Sequence, residues 1–391
     1  MARTVVRPYA AAHQTILLIA LTAIALAACG QGAQAGPARP QPPALDWPSF
    51  VDRFIESYLI ANPTFAVMQG RHEFDGRLPD WSAAGIQQQV AALEAARARA
   101  LAFPASALST EQVFQRAYVV NRVDNDLFWL RDARQPFTNP AFYFDAGLDP
   151  GIYVSSAYAP IEQRARAFIA YANAIPNALT QLRANLQTPL PDTFVVYGVE
   201  GFNGFADFYR RDVPRAFAEV KEPALRAELN RAIETAATAM QALATWCGSQ
   251  RGQKSDGYAR GAERFQRMLQ KTEAVSTPLA ELEVIGQRDL ERNSTALTNA
   301  CAAYAPAASL AACVAKQAAN KPPEGPVEGA RRQLVELRKF VVDHQVVSIP
   351  SDEEAHVEEA PPYKRQNSAY IEIPGPYEIK LPSIYYIAPP D

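Results

Sequence analysis

The chain has little of what common enzyme and nucleic-acid-binding signatures require. Its 391 residues include only four histidines, four cysteines, four methionines and four tryptophans. No Cys-x-x-Cys pair occurs, which argues against a zinc ribbon or a thioredoxin-type redox site. There is no Gly-x-x-x-x-Gly-Lys-Ser/Thr loop to cradle phosphates, no Gly-x-Gly-x-x-Gly fingerprint and no Gly-x-Ser-x-Gly elbow. The net charge is only −3 with both signs interspersed, so no basic stripe marks a nucleic-acid partner. Past the N-terminus no apolar run is long enough to span a bilayer.

The histidines narrow the chemistry further. A His-Glu-x-x-His helix places two imidazoles one turn apart with a glutamate as base. Neither His13 nor His72, His344 or His356 has a second histidine at that spacing. No catalytic residue, metal ligand or cofactor-binding residue is therefore expected in this chain. His72 lies between Gly70 and Gly76 and reads as a polar loop residue. His344 and His356 have Asp352, Glu353 and Glu354 between them and Glu358 and Glu359 just beyond, a set that suits either a hard cation or a solvated loop. The loop is the simpler reading.

What is present is clearest at the start. Arg3 and Arg7 precede an uncharged run from Thr15 to Ala28. As a helix it would reach about 21 Å, short of the ~30 Å hydrocarbon core, and it has the build of a signal peptide. It closes on Leu26-Ala27-Ala28-Cys29, where small residues suit a signal peptidase and Cys29 suits lipidation. The expected organisation is a signal peptide over 1–28, then a lipidated cysteine and flexible tether over 29–45, rich in Gly, Ala, Gln and Pro. Gly30 in place of Asp after the cysteine resembles an outer-membrane address on the periplasmic face.

From residue 46 onward apolar residues recur at helical spacing. Asp46 can cap a helix carrying Phe50, Phe54, Ile55 and Tyr58, which Asn62-Pro63 ends. A second runs from about Ser82 to Leu101, and Ser109 with Gln112 forms a capping box for a third. Pro160, Pro223 and Pro278 suit first turns of long helices. Ala330, Leu334, Leu337 and Val341 step as a buried face. Aromatics gather at Phe142, Tyr143, Phe144, Tyr153 and Tyr158, and again at Phe202, Phe205, Phe208 and Tyr209. Core is the simpler reading, a ligand groove the alternative. Cys301 and Cys313 flank a Tyr-Ala-Pro break and form the candidate disulfide, with Cys247 left over.

The expected fold is mainly α, with a helical domain over 46–345 and an acidic loop plus β-hairpin over 346–391. The loop covers 345–362. The strands are 369–373 and 383–387, turning at Pro374-Gly375-Pro376. A two-stranded ribbon is marginal alone. The natural protein is therefore expected to continue past Asp391, with this hairpin opening a catalytic-type subdomain.

Several of these segments together resemble a known family. Asn62-Pro63-Thr64-Phe65 through His72, then Asp75-Gly76-Arg77-Leu78-Pro79-Asp80-Trp81-Ser82, is similar to the N-terminal signature of bacterial domain-of-unknown-function family 885. Ile175-Pro176-Asn177-Ala178-Leu179 and the tail from Tyr363 to Tyr386 extend the likeness over nearly all of the mature chain. Family members resemble helical zinc metallopeptidases through a His-Glu-x-x-Pro-Gly-His segment that this chain lacks. The resemblance implies the helical scaffold of an exported zinc-dependent peptidase, with zinc expected in a full-length relative and a peptide as substrate. It also implies a substrate-pairing strand among Tyr370, Glu372, Tyr385 and Tyr386. A non-catalytic surface lipoprotein binding peptide, glycan or protein is the competing expectation.

Overall fold

The computed structural model describes residues 46–252, 255–351, 353–360, 368–378 and 381–389. Cys29 and the segments expected to be a signal peptide and a tether lie outside them. Helices account for 69% of the structure, and a small sheet lies near the C-terminus. The helices are α1 (Trp47–Ala61), α2 (Pro63–Met68), α3 (Ala83–Ala102), α4 (Thr110–Leu127), α5 (Gln135–Thr138), α6 (Gly151–Ser155) and α7 (Ile161–Asn185). They continue with α8 (Asp192–Arg211), α9 (Val213–Ala216), α10 (Pro223–Ser249), α11 (Gly261–Thr272), α12 (Leu279–Tyr304), α13 (Leu310–Ala319) and α14 (Pro326–Asp343).

Local capping sets the helix starts. Asp46 accepts from the Ser49 N–H, Ser82 from Gly85, and Ser109 with Gln112 makes the reciprocal box. Pro223 occupies the first turn of α10. Pro160 and Pro278 sit one place earlier than expected, as the N-cap residues of α7 and α12.

The core is the packing of α7, α8 and α10. Phe168, Tyr171, Ile175 and Leu182 of α7 meet Phe202 and Tyr209 of α8, and all six are fully buried. Buried alanines, among them Ala172, Ala206, Ala236 and Ala237, let these helices approach closely while keeping high helix propensity. The loop aromatics are mostly core. Tyr143 donates to the Pro136 carbonyl at 2.8 Å, and Tyr171 to that of Gly147 at 2.8 Å.

Cys301 and Cys313 are joined by a disulfide between α12 and α13. Cys247 is buried in α10, and burial pushes its thiol up to about 12. We expect Cys247 to escape iodoacetamide in the native protein and to react fully once the chain is unfolded, as peptide mapping would show. Native-state alkylation at a rate typical of an exposed thiol would contradict this burial.

The sheet departs from expectation in three ways. It has three strands, β1 (His356–Glu359), β2 (Ala369–Glu372) and β3 (Ile384–Ile387), in the order β1-β3-β2. The residues read as a solvated acidic loop thus contain β1, which pairs parallel to β3, His356 opposite Ile384 and Glu359 opposite Ile387. β2 pairs antiparallel to β3, Tyr370 opposite Tyr386. This third strand meets the need for a partner that a lone hairpin leaves open. The strands at 369 and 384 are also slightly shorter than read, because Ile373 and Ser383 lie outside the ladder.

The face read as buried on α14 is only half covered. Leu337 is 56% exposed, since α14 packs against β1 and not into the main core. Periodicity shows that a helix has an apolar side, not that something lies against it.

Candidate functional site

Register decides which strand edge is open. Ala388 donates to the Ser368 carbonyl at 2.9 Å, whereas His356 donates to the Ser383 carbonyl at 2.8 Å and Ala360 to that of Ile387 at 2.8 Å. By the two-residue alternation, Ser383, Tyr385 and Ile387 face β1, and Ile384, Tyr386 and Ala388 face β2. β3 therefore uses its main chain on both sides. The main-chain groups of Tyr385 and Tyr386 are thus engaged within the sheet, toward β1 and β2 respectively. The outer side of β1 is occupied by α14, because Arg331 donates to the Val357 carbonyl from Nε at 3.0 Å and from the terminal guanidinium nitrogen at 2.7 Å.

That leaves β2. Its inward groups are those of Tyr370 and Glu372, so the N–H and C=O of Ile371 point outward. Among the described residues no main-chain hydrogen bond satisfies them. Beside this edge lies a groove of about 500 Å³ lined by Met68, Ile152, Ser155, Ile371, Ile373 and Leu381. Ile371 is 50% and Ile373 71% exposed. Short α6 forms the opposite bank, where the Ser155 hydroxyl donates to the Gly151 carbonyl at 2.8 Å and lies 3.5 Å from Glu372 Oε1 across the groove. Tyr370 stacks on Tyr386 with ring centroids 5.0 Å apart. Burial first, then the Glu372 and Glu358 carboxylates, push the Tyr386 phenol up to about 12.

The turn after β2 is pinned to the helical body. Tyr377 donates its N–H to the Gln69 carbonyl at 3.1 Å. His72 lies between two carboxylates, with Nδ1 3.0 Å from Asp75 Oδ1 and Nε2 2.7 Å from Glu378 Oε1. Its ring stacks on Tyr158 at 3.7 Å, and the Tyr158 hydroxyl donates to Asp75 Oδ2 at 3.1 Å. Burial pulls the His72 pKa down, but Asp75 and Glu378 together outweigh it, and the net shift is upward. The loop histidine is thus the centre of an ion cluster joining two segments 306 residues apart. Nothing local to either segment could have shown this.

The remaining histidines do not converge. His344 faces its own helix, with Nδ1 3.0 Å from the Phe340 carbonyl, and His356 lies exposed in β1. Among the described residues no group of three or more His, Cys, Asp or Glu is arranged to hold a metal ion. These donors do not fit zinc.

The order of segments along the chain now has a counterpart. The model of a bacterial protein family of unknown function, DUF885, matches residues 63–391. The chain belongs to that family. Its docked turn, open strand and groove all lie within the matched range. A comparison with curated proteins gave no match. Among solved structures, this DUF885 chain is similar to "a putative lipoprotein of unknown function" from Shewanella oneidensis, with a TM-score of 0.68 and 19% identity. The match covers 89% of this chain and 65% of that one, so the chain spans less than two thirds of the solved relative. At this identity the likeness speaks to the fold.

Proposed function

We propose that the DUF885 chain is the exported, lipid-anchored scaffold of a zinc-dependent peptidase, and that its own part is to hold an extended peptide along β2. The observation that carries this reading is the open edge of β2 beside a groove with apolar walls, in a sheet whose other edge is covered by Arg331. An added strand would exchange main-chain hydrogen bonds with Ile371 and set alternate side chains against Met68 and Ile152. Because the described residues do not fit zinc, no step of the proposal runs through a metal. The same groove serves the competing reading, a binding lipoprotein without catalysis.

Ile371→Pro tests the groove directly. Proline removes one outward N–H and fixes φ, yet leaves the ladder to β3 in place, since edge strands accept proline where the N–H faces away. An extended peptide bound by the full chain should lose about tenfold in affinity, the worth of a main-chain bond in a desolvated site. The melting temperature should change little. Unaltered affinity would end the strand-addition reading.

Anchoring is tested separately. The Leu26-Ala27-Ala28-Cys29 segment and the lipoprotein description of the solved relative both support it. Cys29→Ser should move the protein from the membrane fraction to the soluble extracytoplasmic fraction. A variant that stays with the membrane would show that Cys29 is not the anchor.

A further inference from the structure

Next to the β2 groove is a larger chamber, of about 670 Å³, within the ~300–1,000 Å³ usual for small-molecule sites. The two share Met68 and Asp149, so each opens beside the other. The chamber walls combine aromatic rings, Trp129 and Phe144 among them, with polar groups of both signs.

Some of that charge is already satisfied internally. Tyr58 donates to Asp126 Oδ2 at 2.9 Å, and Arg122 Nε donates to the Tyr58 hydroxyl at 3.0 Å. Three other groups are not. Arg260 is half-buried with its guanidinium 5.1 Å from the Trp129 ring centroid, and among the described residues no carboxylate pairs with it. Burial, then the neighbouring Arg264, lower its pKa, as expected of a cation without an anion. Asp145 and Asp149 are exposed at the chamber wall; Asp145 has no hydrogen-bond or ion-pair partner among the described residues, and Asp149 accepts from the Gly151 N–H at 2.7 Å. Thr64, 4% exposed in the chamber wall, has a buried hydroxyl with no partner.

A half-buried cation without an anion and a buried orphan hydroxyl face one cavity with exposed carboxylates beside them, a set that suits a ligand bearing both charges and a polar middle. We infer that the chamber binds a short free peptide as a zwitterion, its carboxylate on Arg260 and its ammonium on Asp145 and Asp149. This deepens the peptide reading above and rests on it for the choice of peptide over other zwitterions. The aromatic walls supply contact with the side chains.

The test is isothermal titration of the full chain with alanyl-phenylalanyl-alanine, its C-terminal amide and its N-acetyl form. The free tripeptide should bind at least about tenfold tighter than either capped form, in keeping with one lost charge-assisted hydrogen bond. Arg260→Met should abolish the penalty for amidation and keep that for acetylation; Arg260→Lys should keep both. Asp145→Asn should shrink the acetylation penalty alone. Circular dichroism of each variant separates loss of binding from loss of fold. Equal affinity for free and capped peptides would overturn the inference. So would an amidation penalty that survives Arg260→Met, an absence of binding at millimolar tripeptide, or displacement of the tripeptide by a neutral trisaccharide at lower concentration. Ile371→Pro should leave this selectivity intact, so failure of the strand reading and failure of the chamber reading give different results.

Discussion

Gly375→Ala should detach the C-terminal sheet from the helical body while leaving the α7–α8–α10 core folded. A Cβ at Gly375 would overlap the main chain of Gln69, which cannot rotate aside as a side chain could. Across the same contact Gly70 has φ +92°, where an L side chain is strained, and a Cβ there would meet the Glu378 main-chain nitrogen at 3.0 Å. Two backbones thus touch with a glycine on each side, and the Tyr377 to Gln69 hydrogen bond closes the contact. Forcing a methyl into such a site costs about 1–3 kcal/mol, and more when backbone must move. That is enough to open a unit held by few other contacts. Hydrogen exchange should report it: amides of β2 and β3 lose protection in the variant, and those of α7 and α10 do not. Peptide binding along β2 should fall in parallel, because the groove exists only while the turn is docked. Unchanged protection in β2 and β3 would show that the turn can shift without cost.

The contrast between what the sequence showed and what it hid follows from range. Caps at Asp46, Ser82 and Ser109 were legible because each is settled by a side chain and an N–H three residues on. The long helices that follow Pro160 and Pro223 were legible because a proline is tolerated at a helix start. β1 was not, because His-Val-Glu-Glu offers one apolar residue, and its acidic neighbours read as solvated. Its pairing is parallel and depends on β3, 28 residues on. The exposure of Leu337 was hidden for the converse reason, since covering requires a partner that a single helix does not encode. The site is less legible still. Ile371 looked like any strand residue until Arg331 was seen to cover the other edge. Arg260, Asp145 and Thr64 come from three separate segments, and no spacing rule connects them.

His72→Leu should loosen the docked turn, and in the native protein that docking should depend on pH. Asp75, Glu378 and the Tyr158 ring face the imidazole, and Arg71 beside it is tied to Glu56 and Glu73. Tyr158 stays neutral, because burial and Asp75 push its phenol far up. The imidazolium is therefore the cation that lets two carboxylates approach one ring, with the Glu378 side chain only 7% exposed. His72→Leu removes it and leaves both acids desolvated. Breaking a buried pair costs about 3–5 kcal/mol, and with His72 itself 22% exposed the lower end applies. The pH dependence follows from linkage. The folded pKa lies above the unfolded value of about 6.5, so the folded state binds the proton more tightly. The stabilisation is complete below about pH 6.5 and is lost as pH rises through the elevated folded pKa. Protection factors in β2 and β3, corrected for intrinsic exchange, should fall across that alkaline window in the native protein. They should be low and flat in His72→Leu. Because the docked turn forms one end of the groove, peptide affinity should weaken over the same interval. A native profile flat through the window, or one that gains protection as pH rises, would mean that His72 is held neutral and that the turn is pinned by the Gln69 to Tyr377 backbone contact alone.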